Sequence, residues 1–533
     1  MTMEENNKKV LASQAEKFLK DFLETFLSNQ KYLTREKSSE INSAALVYEK
    51  IRVAMEYQEE HLIFKNAIAR ILRRRYTLLP SIKSLMLTQD LMRELAWADY
   101  VNPETLDKKT WTEIGIIIDR YLVILNNLNC GIYSKLDLQK KIIDWMACEI
   151  EDNIRPKEEN ELLINYASSI LNKNLIINSP KISPEDNDLL LKITVYNLLF
   201  KPDIPLVEYY LLNKIYPNFK SFNIAEAKKF ALSFEPYFNK INRYLNHPLR
   251  TNYVHYVKRF IPPFIVLRST LASGNFIAEN VLQAPSVLET ETMETYRAMI
   301  NSARTKVFRG TMRALIFILF TKIILALIIE VPYDRYFTGG IHFLSLFINI
   351  LTPVILMFVA GTFVKSPPPK NAKFVAEAVS RILYDGNIGE KKFNLILKKS
   401  NRSFAIFNLF YGLFNIAILV GVIWLLLILQ FNLVSIILFF LFISIVSFFS
   451  FRIRNIALEL AMQRSSDDAI TSAIEVLFLP FIKIGKYISG KFALFNPTMM
   501  LVDFLIEAPL KTIIRIVNYW RRFVNAKKEE MEY

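Results

Sequence analysis

Residues 314–331 read ALIFILFTKIILALIIEV, an apolar run broken by Lys322 and closed by Glu330. A bilayer core takes ~20 apolar residues in helical form, so the run has the length of a membrane span. Three more follow: Ile341–Val364, Phe404–Leu429 and Leu433–Phe451. Shorter apolar stretches, such as Ile114–Leu125, are interrupted by charge and read as soluble core.

Basic flanks orient the runs. Arg304, Lys306, Arg309 and Arg313 precede the first run, and Arg452 and Arg454 follow the fourth. Between the second and third, residues 365–403 carry nine basic side chains against three acidic ones. The connections Pro332–Gly340 and Gln430–Asn432 carry no net charge. All strong positive flanks fall on one side. This predicts a multi-pass cell-membrane protein with both termini cytoplasmic and two short hairpins outside.

Composition agrees. The hydrophobic fraction is 52% and the mean hydropathy +0.22, both above the soluble norm. Only 13 of 533 residues are glycine, which suits long helices better than turn-rich sheet. The formal charge is +15, and residues 301–533 supply +13 of it. Positive charge concentrated beside apolar runs points to anionic lipid headgroups, not nucleic acid. Arg304, Lys306, Arg309, Arg313, Arg452, Arg454, Arg521 and Arg522 are the expected headgroup contacts.

Cys130 and Cys148 have no metal or disulfide spacing and read as buried thiols in a reducing compartment. The N-terminal MTMEENNKKVLASQ is polar and lacks the apolar core of a signal peptide. The Lys/Asn/Ile-rich composition fits an AT-rich bacterial genome.

Residues 1–300 read as helix after helix. Phe18, Leu19, Phe22, Leu23, Phe26 and Leu27 form an apolar stripe opposite Lys17, Lys20, Asp21 and Glu24. Asn102-Pro103-Glu104 and Ser183-Pro184-Glu185-Asp186 place a capping residue before a proline and acids in the first turn. No repeat period emerges. The basic RILRRRY stretch (Arg70–Tyr76) sits in a nearly neutral domain, so it reads as a helix end or a lipid or partner contact. Nucleic-acid binding would need a positive domain around it.

Three segments read as amphipathic helices on the inner membrane surface. One runs from Ser466-Asp467-Asp468 to Ser489, with Gly490 as its stop and a kink at Pro480. The second, Thr498–Val524, repeats Asp503, Glu507, Lys511 and Arg515 every four residues, with Trp520 as an anchor. The third puts Phe374, Val375, Ala378, Val379, Ile382 and Leu383 on one face before an Asp385-Gly386 turn.

Recognised chemistry is missing from the sequence. His61, His247, His255 and His342 are scattered, and there is no metal-binding helix motif, phosphate loop or nucleophile elbow. The expectation is no enzyme, no cofactor and no metal.

Lys322 then needs a reason. It lies ~12 Å beyond Ala314 at 1.5 Å per residue, where a lysine costs roughly 2.5–3.5 kcal/mol on insertion scales. Glu330 stands two turns away, so a direct pair looks strained. Asn408, Tyr411, Gly412 and Asn415 on the third run and Ser444 on the fourth come near its depth; Asn349, Thr352 and Pro353 lie further out. These polar groups fix helix packing, line a solute, ion or proton path with Lys322 and Glu330 titrating, or carry out intramembrane chemistry.

The reading is an all-α protein. Residues 1–300 form a cytoplasmic helical domain and 301–313 a basic juxtamembrane segment. Spans one and two occupy 314–364, a basic loop 365–403, spans three and four 404–451, and an amphipathic region 452–533. The expected role is a membrane-bound interaction, regulatory or scaffold protein, holding a cytoplasmic protein partner or a second copy at an anionic bilayer. The alternative is a small oligomeric transporter or channel.

Overall fold

A computed structural model describes residues 11–36, 62–79, 82–98, 100–101, 108–177, 183–272, 285–338, 340, 343–362, 367–389, 393–395, 402–462 and 469–494, with four isolated positions beyond 515. The fold is all-helical: 86% helix and 1% strand. Chain contacts divide it into two units.

The first unit comprises Val10–Phe264, Arg381–Ile396 and Phe504–Tyr533. Its helices are α1 (Ser13–Glu36), α2 (Ile63–Leu78), α3 (Ser84–Trp97), α4 (Lys108–Asn126), α5 (Lys135–Ile154), α6 (Glu158–Lys173), α7 (Pro184–Phe200), α8 (Ile204–Ile215), α9 (Ile224–Leu232), α10 (Phe234–Leu245) and α11 (Arg250–Phe260). The Ser183-Pro184-Glu185-Asp186 signal starts α7: the Ser183 hydroxyl accepts from the Asp186 amide at 3.1 Å. Asp203 caps α8 in the same way, and Asn223 with Glu226 forms a reciprocal capping box on α9. Each such cap is worth ~1 kcal/mol. The Asn102 signal lies outside the described residues.

One apolar core joins α2 to α5 and α8 to α10, with Tyr121, Trp145 and Phe234 fully buried. The α1 stripe is buried at Phe18, Leu19 and Phe22, and Phe18 stacks on Tyr166 at 4.4 Å. The RILRRRY arginines serve the fold. Arg73 pairs with Asp144, Arg74 with Glu94, and Arg75 with both Glu94 and Asp90. Two three-residue strands, β1 (Leu175–Ile177) and β2 (Phe393–Leu395), pair in parallel with Leu175 opposite Phe393.

The second unit comprises Met1–Lys9, Ile265–Ser380 and Leu397–Asp503, and the chain passes into it within α12 (Pro262–Ala272). Its main element is α13 (Pro285–Leu325), which runs on through a π-helical turn (Ala326–Glu330), three α-helical residues and a second π-helical turn (Asp334–Thr338). The first apolar run is thus the later part of a continuous 53-residue helix, Pro285–Phe337. There follow α14 (Phe343–Thr362), α15 (Lys370–Ser380), α16 (Arg402–Ile428), α17 (Leu433–Ala457) and α18 (Ala469–Leu494).

Three helices among the described residues are long and apolar enough to cross a membrane: Pro285–Phe337, Leu409–Ile428 and Leu433–Asn455. The described apolar stretch of α14, Phe343–Val359, is shorter. Two expectations need correction. The helix α18 does not stop at Gly490 but continues to Leu494, with Pro480 inside it. In the third amphipathic segment Val375, Ala378, Val379, Ile382 and Leu383 are buried, whereas Phe374 is exposed. Ser466–Asp468 and Thr498–Pro509, and all side chains of the last segment except Ile516, Trp520, Phe523 and Val524, lie outside the described residues.

Candidate functional site

Lys322 and Glu330 meet. The lysine Nζ is 3.1 Å from Glu330 Oε1, and neither side chain is exposed. The geometry of the helix explains why the expected strain is absent. Eight α-helical steps leave two residues about 80° apart round the axis. The π-helical turn Ala326–Glu330 winds more slowly and brings Glu330 back toward the Lys322 face. Helical side chains also lean toward the N-terminus, which tips the Glu330 carboxylate down toward Lys322, and the long lysine stem spans the rest of the rise.

Two other helices complete the carboxylate's shell. From α14, Asn349 Nδ2 donates to Glu330 Oε2 at 2.7 Å. From α17, the Ser435 hydroxyl donates to the same oxygen at 3.1 Å. The Lys322 ammonium lies over the Phe442 ring, 4.8 Å from its centre, adding a cation–π attraction. Asn349 and Ser435 are buried too. The cluster therefore ties α13, α14 and α17 together through one ion pair. Asn349 Oδ1 is buried and accepts no hydrogen bond from a described residue, and the Lys322 ammonium, with three N–H donors, makes one hydrogen bond among the described residues, to Glu330, beside its ring contact with Phe442.

The remaining polar residues go elsewhere. Thr352 bonds back to the Ile348 carbonyl at 2.7 Å. On α16, Asn415 Nδ2 donates to the Tyr411 carbonyl, and the Tyr411 ring lies 4.3 Å from Lys483 of α18. The Asn408 side chain is outside the described residues. Ser444 is fully buried on α17, its hydroxyl without a partner among the described residues. Beside it α18 comes close: a Cβ on Gly485 would overlap the Ser444 carbonyl and lie 2.7 Å from Phe448 Cβ.

Sequence reasoning missed three groups at this site. Asp334, read as part of a connection, is buried in the second π-helical turn and accepts from Asn432 Nδ2. Asn432 Oδ1 in turn accepts from the Ser435 amide at 2.7 Å, capping α17. Asn three residues before a serine at a helix start was the available signal. Ser435 itself was the third omission.

A second polar hub lies in the same unit. Asn371 of α15 is fully buried; its Nδ2 donates to Tyr296 Oη of α13 at 2.6 Å and to the Leu460 carbonyl at 3.0 Å. Its Oδ1 accepts from the Met462 amide at 3.2 Å.

Of the basic residues, Arg304, Lys306, Arg309, Arg313 and Arg452 are exposed and Arg454 is half-buried, while Arg521 and Arg522 lie outside the described residues. Among the described residues no group of His, Cys, Asp and Glu could hold a metal ion. No family model matches the chain, and no curated protein or solved structure is similar to it.

Proposed function

We propose that the chain is a four-span membrane protein with both termini cytoplasmic, acting as a membrane-bound interaction or regulatory scaffold. The way the chain returns to the first unit supports the four spans. Residues 381–389 bond to the first unit: the Leu383 carbonyl accepts from the Ala12 amide at 3.0 Å, and the Ile382 carbonyl from Tyr166 Oη at 2.9 Å. Any membrane therefore has residues 12, 166 and 383 on one face. A single crossing by α13 requires a return, and α14 is the helix available for it. Its 20 residues reach about 30 Å, the thickness of a bilayer core. The basic loop and exposed basic flanks support that face being cytoplasmic, against anionic headgroups.

The observation that carries the scaffold reading is the closure of the ion pair. Lys322 and Glu330 are both fully buried, and their charges are met by each other, by Asn349, Ser435 and Phe442. A transport site has to expose its ionisable groups to a cavity in some state. The second reading, a solute or proton path, is favoured by the open Asn349 Oδ1 alone.

Purified full-length protein in proteoliposomes discriminates the two. A flux or current abolished by Lys322→Met establishes transport. A stoichiometric protein retained through purification, with no flux, supports the scaffold.

A further inference from the structure

Two turns of the first unit carry large apolar side chains that its core does not use. The α2–α3 turn presents Leu78, Leu79, Leu85 and Met86; the turn into α5 presents Ile132 and Leu136. These six are 53–83% exposed. Both turns are at one end of the unit, because α2 and α5 run antiparallel: Arg73 pairs with Asp144, and one turn on Tyr76 Oη meets Gln139 at 3.5 Å. The end of α2 thus lies level with the start of α5.

The charges in and beside these tips are mostly basic, although the Glu235 carboxylate packs against Gly131 in the turn into α5. Residues 76–86 and 130–140 contain Lys83, Lys135 and Lys140 against Asp137 alone. All three lysines are exposed. Leucine-class side chains flanked by exposed lysines suit the boundary of a bilayer: acyl chains take the former and phosphates the latter. A water-facing protein seldom leaves such a group of apolar side chains exposed without a use for it.

We propose that this end of the first unit inserts into the surface of an anionic bilayer, as a lipid contact separate from the basic flanks of the apolar runs. The inference rests on the membrane-protein reading above. Lipid is favoured over a diffusing protein because the chain's own spans hold a bilayer within reach permanently, at an effective concentration no free partner matches.

Full-length protein in nanodiscs containing phosphatidylglycerol tests it. An environment-sensitive fluorophore is placed at Leu79→Cys in a Cys130→Ser background; Cys148 is buried and stays unlabelled. Quenching by spin-labelled lipid is compared with Ile416→Cys on α16 and with Lys228→Cys on α9, both exposed positions. The expected result is quenching at 79 several-fold above that at 228, falling when Lys83→Glu and Lys135→Glu are added. Quenching at 416 with none at 79 overturns the inference and leaves the membrane reading standing. A cross-link between position 79 of two copies, without quenching, assigns the tips to a second copy and also overturns it. No quenching at 416 overturns the membrane reading and this inference with it.

Discussion

Lys322 sits where a lone charge is least tolerable, and its partner makes the position tenable. Removing one member of a buried ion pair typically costs about 3–5 kcal/mol, because the other is stranded. Lys322→Met should therefore lower the melting temperature in mild detergent clearly. Adding Glu330→Gln should recover part of the loss, so that the double variant is less destabilised than the two singles summed. A neutral or stabilised Lys322→Met would mean the lysine is kept at a cost to the fold, and would favour transport. In the first unit, Asp186 offers a simpler residue-level test. The hydrogen bond from Tyr244, opposed by slight burial and aided by Ser183, holds its carboxyl below the usual aspartate range. A lowered folded value stabilises above the unfolded pKa, ~3.9, and the effect is lost as the pH falls through the lower folded value. Hydrogen-exchange protection of the first turn of α7 should drop in Tyr244→Phe at neutral pH. The gap to wild type should close on acidification below pH ~4.

Between elements, α17 and α18 cross backbone to backbone at Gly485. Gly485→Ala places a methyl against the Ser444 carbonyl, a backbone atom that cannot rotate away, so it should destabilise. Gly412→Ala on α16 meets nothing within 4 Å and should be neutral or stabilise by up to ~1 kcal/mol, the helix-propensity gain. The pair of melting temperatures separates a packing role from a generic glycine effect. This contrast also marks what was legible in the sequence. Helix starts such as Ser183 and apolar stripes such as Phe18–Phe22 are local signals, and they read correctly. The Lys322–Glu330 pair was misjudged because a π-helical turn has no composition signal; it is set by what neighbouring helices press against it. Asp334 and Ser435 were passed over for a related reason. Their roles depend on Asn432 and Glu330, about a hundred residues apart in the chain. Gly412 drew attention for lying on a small, polar face, yet the close approach belongs to Gly485.

At the scale of the whole molecule, the chain is woven. It leaves the second unit after Ser380, gives Arg381–Ile396 to the first, and returns at Leu397. The loan is well secured: Lys173 Nζ donates to the Gly386 carbonyl at 2.9 Å, Asn174 Nδ2 to the Gly389 carbonyl at 2.7 Å, and β2 pairs with β1. Helical patterning alone could not reveal this, since three-residue strands fall below any periodicity. The proposed topology predicts sidedness at two exposed positions. In sealed vesicles of known orientation, a membrane-impermeant thiol reagent should label Gly340→Cys from the extracytoplasmic face only and Lys373→Cys from the cytoplasmic face only. Labelling of both from one face would remove α14 as a span.

The length of α13 has a mechanical consequence. Its stretch ahead of Ala314, beginning at Pro285, is about 43 Å of straight helix at 1.5 Å per residue. With the apolar portion held in a bilayer, that stretch is a lever arm. A tilt of roughly 10° at the apolar end swings Pro285 through roughly 8 Å, by the same rise per residue. The Asn371 hub grips the arm at Tyr296, about a third of the way along from Pro285, and couples it to the chain leaving α17. In the proposed topology, a small change in how the apolar helices lean would become a larger displacement at Pro285, shared through the Asn371 hub.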